Sequence, residues 1–305
     1  MSARSSLLAV VLGLTMLGAP AAAEAHAPPG TPIYLNRSYS FEERAADLVS
    51  RMTLAEKASQ MVSSQAPAIP RLGIPAYGWW NEALHGVSRL QTAPSGNATT
   101  LFSTTSYPID LSLGASWDPD LMYREASAIS DEAREVVPNN SLDLDFYSPT
   151  INLARDPRWG RNDEAFSEDP LLTAAIAGQF VNGMEGKDRN GNLLPAGGGY
   201  LKTITTLKHF AANNSEINRR TGSADMDDRT LREYYTAQFR RIVQQTHPGS
   251  IMSSYNSVNG TPGGGQRLPD GSAHAPDLSG SPATSPRTAP PSSRWSAAIT
   301  GSRRT

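Results

Sequence analysis

The chain has 305 residues, 27 Lys and Arg against 29 Asp and Glu, no cysteine, and 38% hydrophobic against 18% charged residues. The near-balance of charge leaves no concentrated basic face for nucleic acid or an anionic membrane, and the missing thiols remove cysteine catalysis, disulfides, zinc–thiolate and iron–sulfur sites. What remains is carboxylate, His, Ser/Thr/Tyr and Lys chemistry without a cofactor, on a chain long enough for one large α/β barrel or two smaller domains.

Residues Met1 to Ala25 carry Arg4, an apolar run from Leu7 to Leu17 and the small-residue stretch Ala19-Pro20-Ala21-Ala22-Ala23. This is the layout of a secretory signal peptide cleaved after Ala23 or Ala25. The run is well short of the ~20 apolar residues that span a bilayer, so the expected mature protein starts near residue 26, is secreted, and holds no membrane contact after cleavage. Asn-X-Ser/Thr triplets at Asn36, Asn97, Asn139, Asn213 and Asn259 are acceptors only in a host that glycosylates.

Ser40 with Glu43 three residues on, and Thr53 before Leu54-Ala55-Glu56, predict two capped helices. The pattern then alternates. Strands are predicted at 76–79, 144–149, 205–210 and 250–255, and helices at 119–137, 169–184 and 228–245. Strands separated by helices of this length pair in parallel through βαβ crossovers, which predicts an α/β fold, either a barrel or a doubly wound sheet. From Gly263 to Thr305 the chain is mostly Gly, Pro, Ser, Ala, Thr and Arg, a composition that cannot offset the entropy cost of folding. It reads as a flexible secreted tail or as translation out of frame beyond Pro262.

Four polar segments sit beside the predicted strands. Tyr77-Gly78-Trp79-Trp80-Asn81-Glu82-Ala83-Leu84-His85-Gly86 offers an aromatic platform with hydrogen-bonding groups, the means by which sugar rings are gripped; the alternative is that the indoles are core. The stretch from Asn152 to Pro170 mixes Arg155, Asp156, Arg158, Arg161 and several acids with Pro and Gly. It predicts a loop at the C-terminal end of a strand, where barrel sites are built, or else a surface ion-pair cluster. Lys208 and His209 are consecutive on a predicted strand and face opposite ways if it is regular, so both enter one pocket only at a frayed end or a bulge. The fourth segment, Ser253-Ser254-Tyr255-Asn256, runs into an Asn/Gly turn. No nucleophile elbow, P-loop, dinucleotide fingerprint or His-Glu-x-x-His is present.

Together and in this order, the four segments resemble glycoside hydrolase family 3 over roughly Tyr34 to Pro262. Arg155-Asp156-Pro157-Arg158-Trp159-Gly160-Arg161 with Ser167-Glu168-Asp169-Pro170 carries most of the resemblance. Trp80-Asn81-Glu82-Ala83-Leu84-His85-Gly86 looks like the β-xylosidase branch, where many β-glucosidases of the family carry an Asp-Gly-Pro version. The resemblance implies an N-terminal (β/α)8 TIM-type barrel over residues 26–262, incomplete at its C-terminal end, with 263–305 as tail. It implies Glu82, Arg161, Lys208 and His209 on the hydroxyls of a terminal sugar and Tyr255 beside the nucleophile. Trp79, Trp80, Arg155, Asp156 and Arg158 would be pocket wall or loop support. Asp145 is a weaker candidate, expected to pair with a Lys or Arg below the site.

Retaining glycosidases need two carboxyl groups about 5 Å apart. The resemblance places the nucleophile on an Asp in a Ser-Asp-Trp or Ser-Asp-Cys context after the Ser-Tyr-Asn segment, and the acid/base beyond the barrel. No Ser-Asp follows Tyr255; Asp270 and Asp277 stand in Pro-Asp-Gly and Pro-Asp-Leu turns. The family pattern stops at Gly263, which favours a shifted or truncated frame over an evolved linker. The expected function is a secreted, exo-acting, retaining β-xylosidase-like hydrolase of oligosaccharides or aryl glycosides, with no catalytic carboxyl in this chain and hence little turnover. The alternatives are a non-catalytic sugar-binding remnant of the same fold and, from another class, a structural or adhesive protein.

Overall fold

The computed structural model describes residues 28, 30–61, 65–88, 90–92, 98–100, 103–139 and 143–262. The expected signal peptide, the 263–305 tail, Asp270 and Asp277 lie outside the described residues. The chain divides into two compact units, one through Arg51 and one from Met52 onward.

In the first unit a short 3-10 turn, Ile33–Leu35, precedes α1, Phe41–Arg51. The expected capping box is present: Ser40 Oγ accepts from Glu43 N at 3.2 Å, and Glu43 Oε2 accepts from Ser40 N at 2.9 Å. Asp47 ties the unit together, accepting from Tyr34 N at 3.0 Å and pairing with Arg51 at 3.0 Å.

The second unit opens on α2, Leu54–Ser59, capped by Thr53 and Glu56 as its sequence predicts. Two short antiparallel pairs follow, β1 (Gln65–Ala66) with β2 (Tyr77–Gly78), and β3 (Leu90–Thr92) with β4 (Ala98–Thr100). After α3 (Asp110–Ser116) and α4 (Pro119–Asn139) come β5 (Asp145–Phe146), α5 (Pro170–Glu185) and β6 (Ile204–Phe210). Next are β7 (Ser223–Ala224), α6 (Asp228–Thr230), α7 (Ala237–Thr246), β8 (Ser250–Ser253) and β9 (Ser257–Val258). A single π-turn, Leu231–Tyr235, separates α6 from α7, so the one helix expected over 228–245 is broken at Thr236.

The central sheet is parallel in the order β5-β6-β8. A parallel bridge from Asn81 to Phe146 adds the chain before Glu82 to its outer side, so the strand expected at 76–79 joins the sheet two residues later than predicted. Each step from β5 to β6 and from β6 to β8 crosses over through a helix, α5 and α7, the connection parallel strands require. The fold is α/β, a run of parallel strands connected through helices; among the described residues it accounts for part of a closed barrel.

Helix identity follows burial. Met122, Ala126, Ile129 and Ala133 make one buried stripe of α4, the 4-3-4 spacing of a helix with one face on a core. The chain of α5 is buried on nearly every side, from Ala174, Ile176 and Ala177 to Phe180, Val181 and Met184, because it is packed between α4 and α7. The α4–α5 crossing is close: a Cβ on Gly183 would lie 2.7 Å from the Ala126 methyl and from the Tyr123 carbonyl. On the sheet side Phe146, Ile151 and Leu207 are wholly buried, and Phe210 meets Phe239 of α7 edge-on with centroids 5.0 Å apart.

Candidate functional site

Glu82 is positioned by its neighbours before it meets any ligand. Asn81 Nδ2 donates to the Asp143 and Asp145 carbonyls at 2.7 and 2.9 Å, pinning the chain to the start of β5. Glu82 and Ser88 exchange both backbone hydrogen bonds, at 2.9 and 2.8 Å, around a tight hairpin. Gly86 in that hairpin has φ +125°, and a Cβ there would run into the Thr105 carbonyl, so only glycine fits. Ser148 Oγ accepts from Ala83 N at 2.9 Å and donates to Glu82 Oε2 at 3.4 Å.

Lys208 and His209 lie near the C-terminal end of β6. The register against β8 shifts between Leu207 and Phe210, the irregularity that lets consecutive side chains enter one cluster; the Lys208–His209 peptide is cis. Lys208 Nζ lies 3.1 and 3.3 Å from the two Glu82 oxygens and 4.0 Å from Glu164 Oε2. Its side chain is only 5% exposed, while that of Glu82 is 37% exposed, so the carboxylate is the part of the pair that solvent reaches. Burial pushes the Glu82 carboxyl upward, with Lys208 pulling it back.

His209 is wholly enclosed. Asn152 accepts from its backbone N at 2.8 Å, lies 3.0 Å from Nδ1 and donates to its carbonyl at 2.9 Å. Arg161 Nη1 stands 3.2 Å from Nε2. Because a guanidinium can only donate, Nε2 accepts and Nδ1 carries the proton, a tautomer assigned from these partners. Burial first, then the Arg161, Lys208 and Arg219 charges, hold the ring well below the usual imidazole range, so it is neutral at pH 7. Arg161 in turn donates from Nε to Glu164 Oε1 at 2.7 Å and from Nη2 to Glu164 Oε2.

Four of the expected residues, Glu82, Arg161, Lys208 and His209, thus form one continuous cluster. Tyr255 lies outside its hydrogen bonds, half exposed, with Arg219 and Arg220 at 5.3 and 5.4 Å from its ring centroid. Trp79 is hydrogen-bonded to Tyr147, whose hydroxyl is pushed upward by burial first and then by the Asp145, Glu82 and Tyr255 charges. Trp80 is 55% exposed, so it is not a core residue.

The other expected wall residues sit elsewhere. Arg158 is 88% exposed and forks onto Asp156 at 2.6 Å, and Arg155 stacks on Tyr235 at 5.6 Å. Arg158 and Asp156 pair with each other across Pro157 inside the loop, while Arg155 reaches out to the π-turn before α7. Asp145 is also corrected: no Lys or Arg meets it among the described residues, and its partner is the Thr206 hydroxyl at 3.1 Å. Burial pushes its carboxyl up to about 7. Residues not singled out from sequence are Tyr147, Thr150, Asn152 and Glu164; Glu164, three residues after Arg161 in the same loop, was the one with a signal.

Among the described residues no group of three or more His, Asp or Glu could hold a metal, and no helix is long and apolar enough to cross a membrane. What the cluster can do is offer hydrogen-bond donors and acceptors together from a parallel sheet's C-terminal edge.

The chain is similar to known proteins over most of its described length. The model described as "Glycosyl hydrolase family 3 N terminal domain" matches residues 53–268. "Probable beta-D-xylosidase 7" of Arabidopsis thaliana is 39% identical over 225 residues, 72% of this chain and 29% of that protein. A "Probable exo-1,4-beta-xylosidase" of Aspergillus flavus is 39% identical over 223 residues, 72% and 28% of the two chains. Among solved structures, an exo-β-xylosidase in complex with a xylobiose aziridine activity-based probe superposes with a TM-score of 0.65 at 32% identity, over 77% of this chain and 30% of that one. β-Glucosidase 3B from Thermotoga neapolitana in complex with glucose gives 0.59 at 28% identity, over 72% and 30%. The chain therefore spans less than a third of the length of these relatives. Its parallel strands and the cluster they carry fall inside the matched segment, and the chain belongs to glycosyl hydrolase family 3, as part of the family's N-terminal domain.

Proposed function

We propose that the chain forms the sugar-binding side of the pocket of a secreted, exo-acting family 3 glycoside hydrolase of the β-xylosidase type, one that acts on xylan-derived oligosaccharides and aryl xylosides with retention. The observation that carries this is the convergence of Glu82, Lys208, Arg161 and His209 from three separate segments. In such a pocket Glu82 and Lys208 bind adjacent hydroxyls of the terminal sugar, Arg161 and the neutral His209 stiffen the wall, and Tyr147 with Tyr255 borders the ring. The relatives with the higher identities are xylosidases, which favours xylose over glucose. The leader-like residues 1–25 support export.

A double displacement also needs a nucleophile and an acid/base, and no Ser-Asp follows Tyr255 in this sequence. On that basis these 305 residues on their own are expected to bind without turnover, and the second reading is a non-catalytic sugar-binding protein of the same fold. Calorimetry with D-xylose and assays on nitrophenyl β-xyloside and β-glucoside test both. The expected result is saturable binding weakened about tenfold or more by Glu82→Ala, with no hydrolysis. Hydrolysis abolished by Glu82→Ala but indifferent to changes at Asp270 and Asp277 would mean that another residue serves as nucleophile. A folded sample that ignores xylose ends both readings.

A further inference from the structure

Glu164 has no role in the sugar-binding reading, yet more of the cluster meets at its carboxylate than at any other group in it. Oε1 accepts from Arg161 Nε at 2.7 Å; Oε2 accepts from Arg161 Nη2 and from Thr150 Oγ1 at 3.0 Å, and lies 4.0 Å from Lys208 Nζ. These partners come from three segments: the chain just after β5, the loop before α5, and β6. We propose that Glu164 is the positioning residue of the pocket. Its carboxylate fixes the Arg161 fork and adds a second negative charge near Lys208, so that Glu82 is not the sole counter-ion of the Lys208 ammonium.

The chemistry follows from donor counting. Lys208 has three N–H donors and no acceptor. Both Glu82 oxygens face it at 3.1 and 3.3 Å, while Glu164 Oε2 stands 4.0 Å away, beyond hydrogen-bond distance. The ammonium so placed keeps donor capacity for a hydroxyl, and Glu82 keeps lone pairs for a second one. With Glu164 uncharged, two cations would share one carboxylate, and Glu82 would be consumed as a counter-ion. The bidentate Arg161 fork also points Nη1 at His209 Nε2, so the same carboxylate sets the ring's acceptor edge. A plain i,i+3 surface pair would do none of this; here both side chains are mostly buried, and the geometry is bidentate, the kind of pairing that adds direction as well as energy.

This inference rests on the sugar-binding reading, and two readouts on the full chain separate their failures. The first is the Arg161 Nε–H resonance, identified by its loss in Arg161→Lys. Its slow exchange with water is expected in the wild type and lost in Glu164→Gln, with partial recovery in Glu164→Asp. The second is xylose affinity by calorimetry, expected to fall about tenfold in Glu164→Gln, the scale of one charge-assisted hydrogen bond, measured on samples whose melting curves show a folded chain. Should Glu164→Gln not fold, Thr150→Val, which removes only the hydroxyl on Oε2, carries the same two readouts with a loss of about threefold. Unchanged Arg161 protection, or unchanged xylose affinity in a wild type that binds, overturns the positioning role. A wild type that shows the Arg161 signal and its loss but never binds xylose overturns the sugar reading and leaves Glu164 as the anchor of Arg161 alone.

Discussion

Asp145 shows how much a single buried carboxyl can reveal about its surroundings. It sits on β5 with the Thr206 hydroxyl as its side-chain partner, and burial, the main cause, lifts its pKa to about 7, with the Glu185 and Asp143 charges adding to the rise. An unfolded Asp titrates near 3.9. Between those values the folded chain holds a proton that the unfolded chain has released, so folding stability falls as pH rises from about 4 to about 7. Asp145→Asn keeps an acceptor for Thr206 and removes that slope. It should raise the urea midpoint at pH 8, by up to a few kcal/mol in stability, and leave it nearly unchanged at pH 4; equal shifts at both pH values would show that the carboxyl is not protonated in the fold. The sequence placed Asp145 near a strand but assigned it a cationic partner, because the partner of a buried carboxyl depends on which strand lies beside it, and the β5–β6 register was not readable from residues alone. Glu82, Arg161, Lys208 and His209 were legible because unusual residue types stood in short motifs. Asn152 and Thr150 were not, since an Asn or Thr after a strand looks like any turn residue until its partner is known.

At the scale of elements, α5 is tied to both neighbouring strands through one ion pair. Glu185, its last residue, accepts from Thr205 N at 3.0 Å, Thr205 Oγ1 at 2.6 Å and Gly249 N at 2.8 Å, and pairs with Lys187. Lys187 Nζ also donates to the Thr246 and His247 carbonyls at 2.6 and 2.9 Å. Every polar atom of the pair is therefore occupied, the condition under which a buried ion pair is tolerated. Removing one partner leaves the other buried and uncompensated: Glu185→Ala is expected to cost about 3–5 kcal/mol, read as a drop in the denaturation midpoint, and a loss below 1 kcal/mol would mean the pair is solvated. None of this was visible in the sequence, where Glu185 and Lys187 are two ordinary charges at a helix end. The helices themselves were legible, since 3.6-residue periodicity is local, and α4 and α5 came within two residues of expectation at each end. The break at Thr236 was not, because the π-turn depends on how α7 packs. The shift that aims Lys208 and His209 together was foreseen only as a condition, for a bulge is a property of the pair of strands and not of one.

At the scale of the whole chain, the described sheet has an outer strand, β8, whose other side meets no strand among the described residues. Unpaired strand edges recruit other chains. Purified protein should self-associate with rising concentration in the micromolar range, measured by light scattering; a monodisperse monomer throughout would show that the edge is covered. The α/β class and the family were legible because helix–strand alternation and the 155–170 motif both survive in a single sequence. The extent of the sheet was not, because strand pairing beyond β8 has no local signal. The Glu185 anchor and the Glu82–Arg161–Lys208–His209 cluster bear on opposite ends of one strand: Thr205 lies at the start of β6, and Lys208 and His209 lie toward its close, roughly 10 Å further along at about 3.3 Å per residue. Variation in the two places is consequently decoupled. A mutant library confined to positions 147 and 255 could be searched for altered ligand preference at little risk to foldedness, whereas the same diversity at 185, 187 and 205 would yield mostly unfolded chains and no information about recognition.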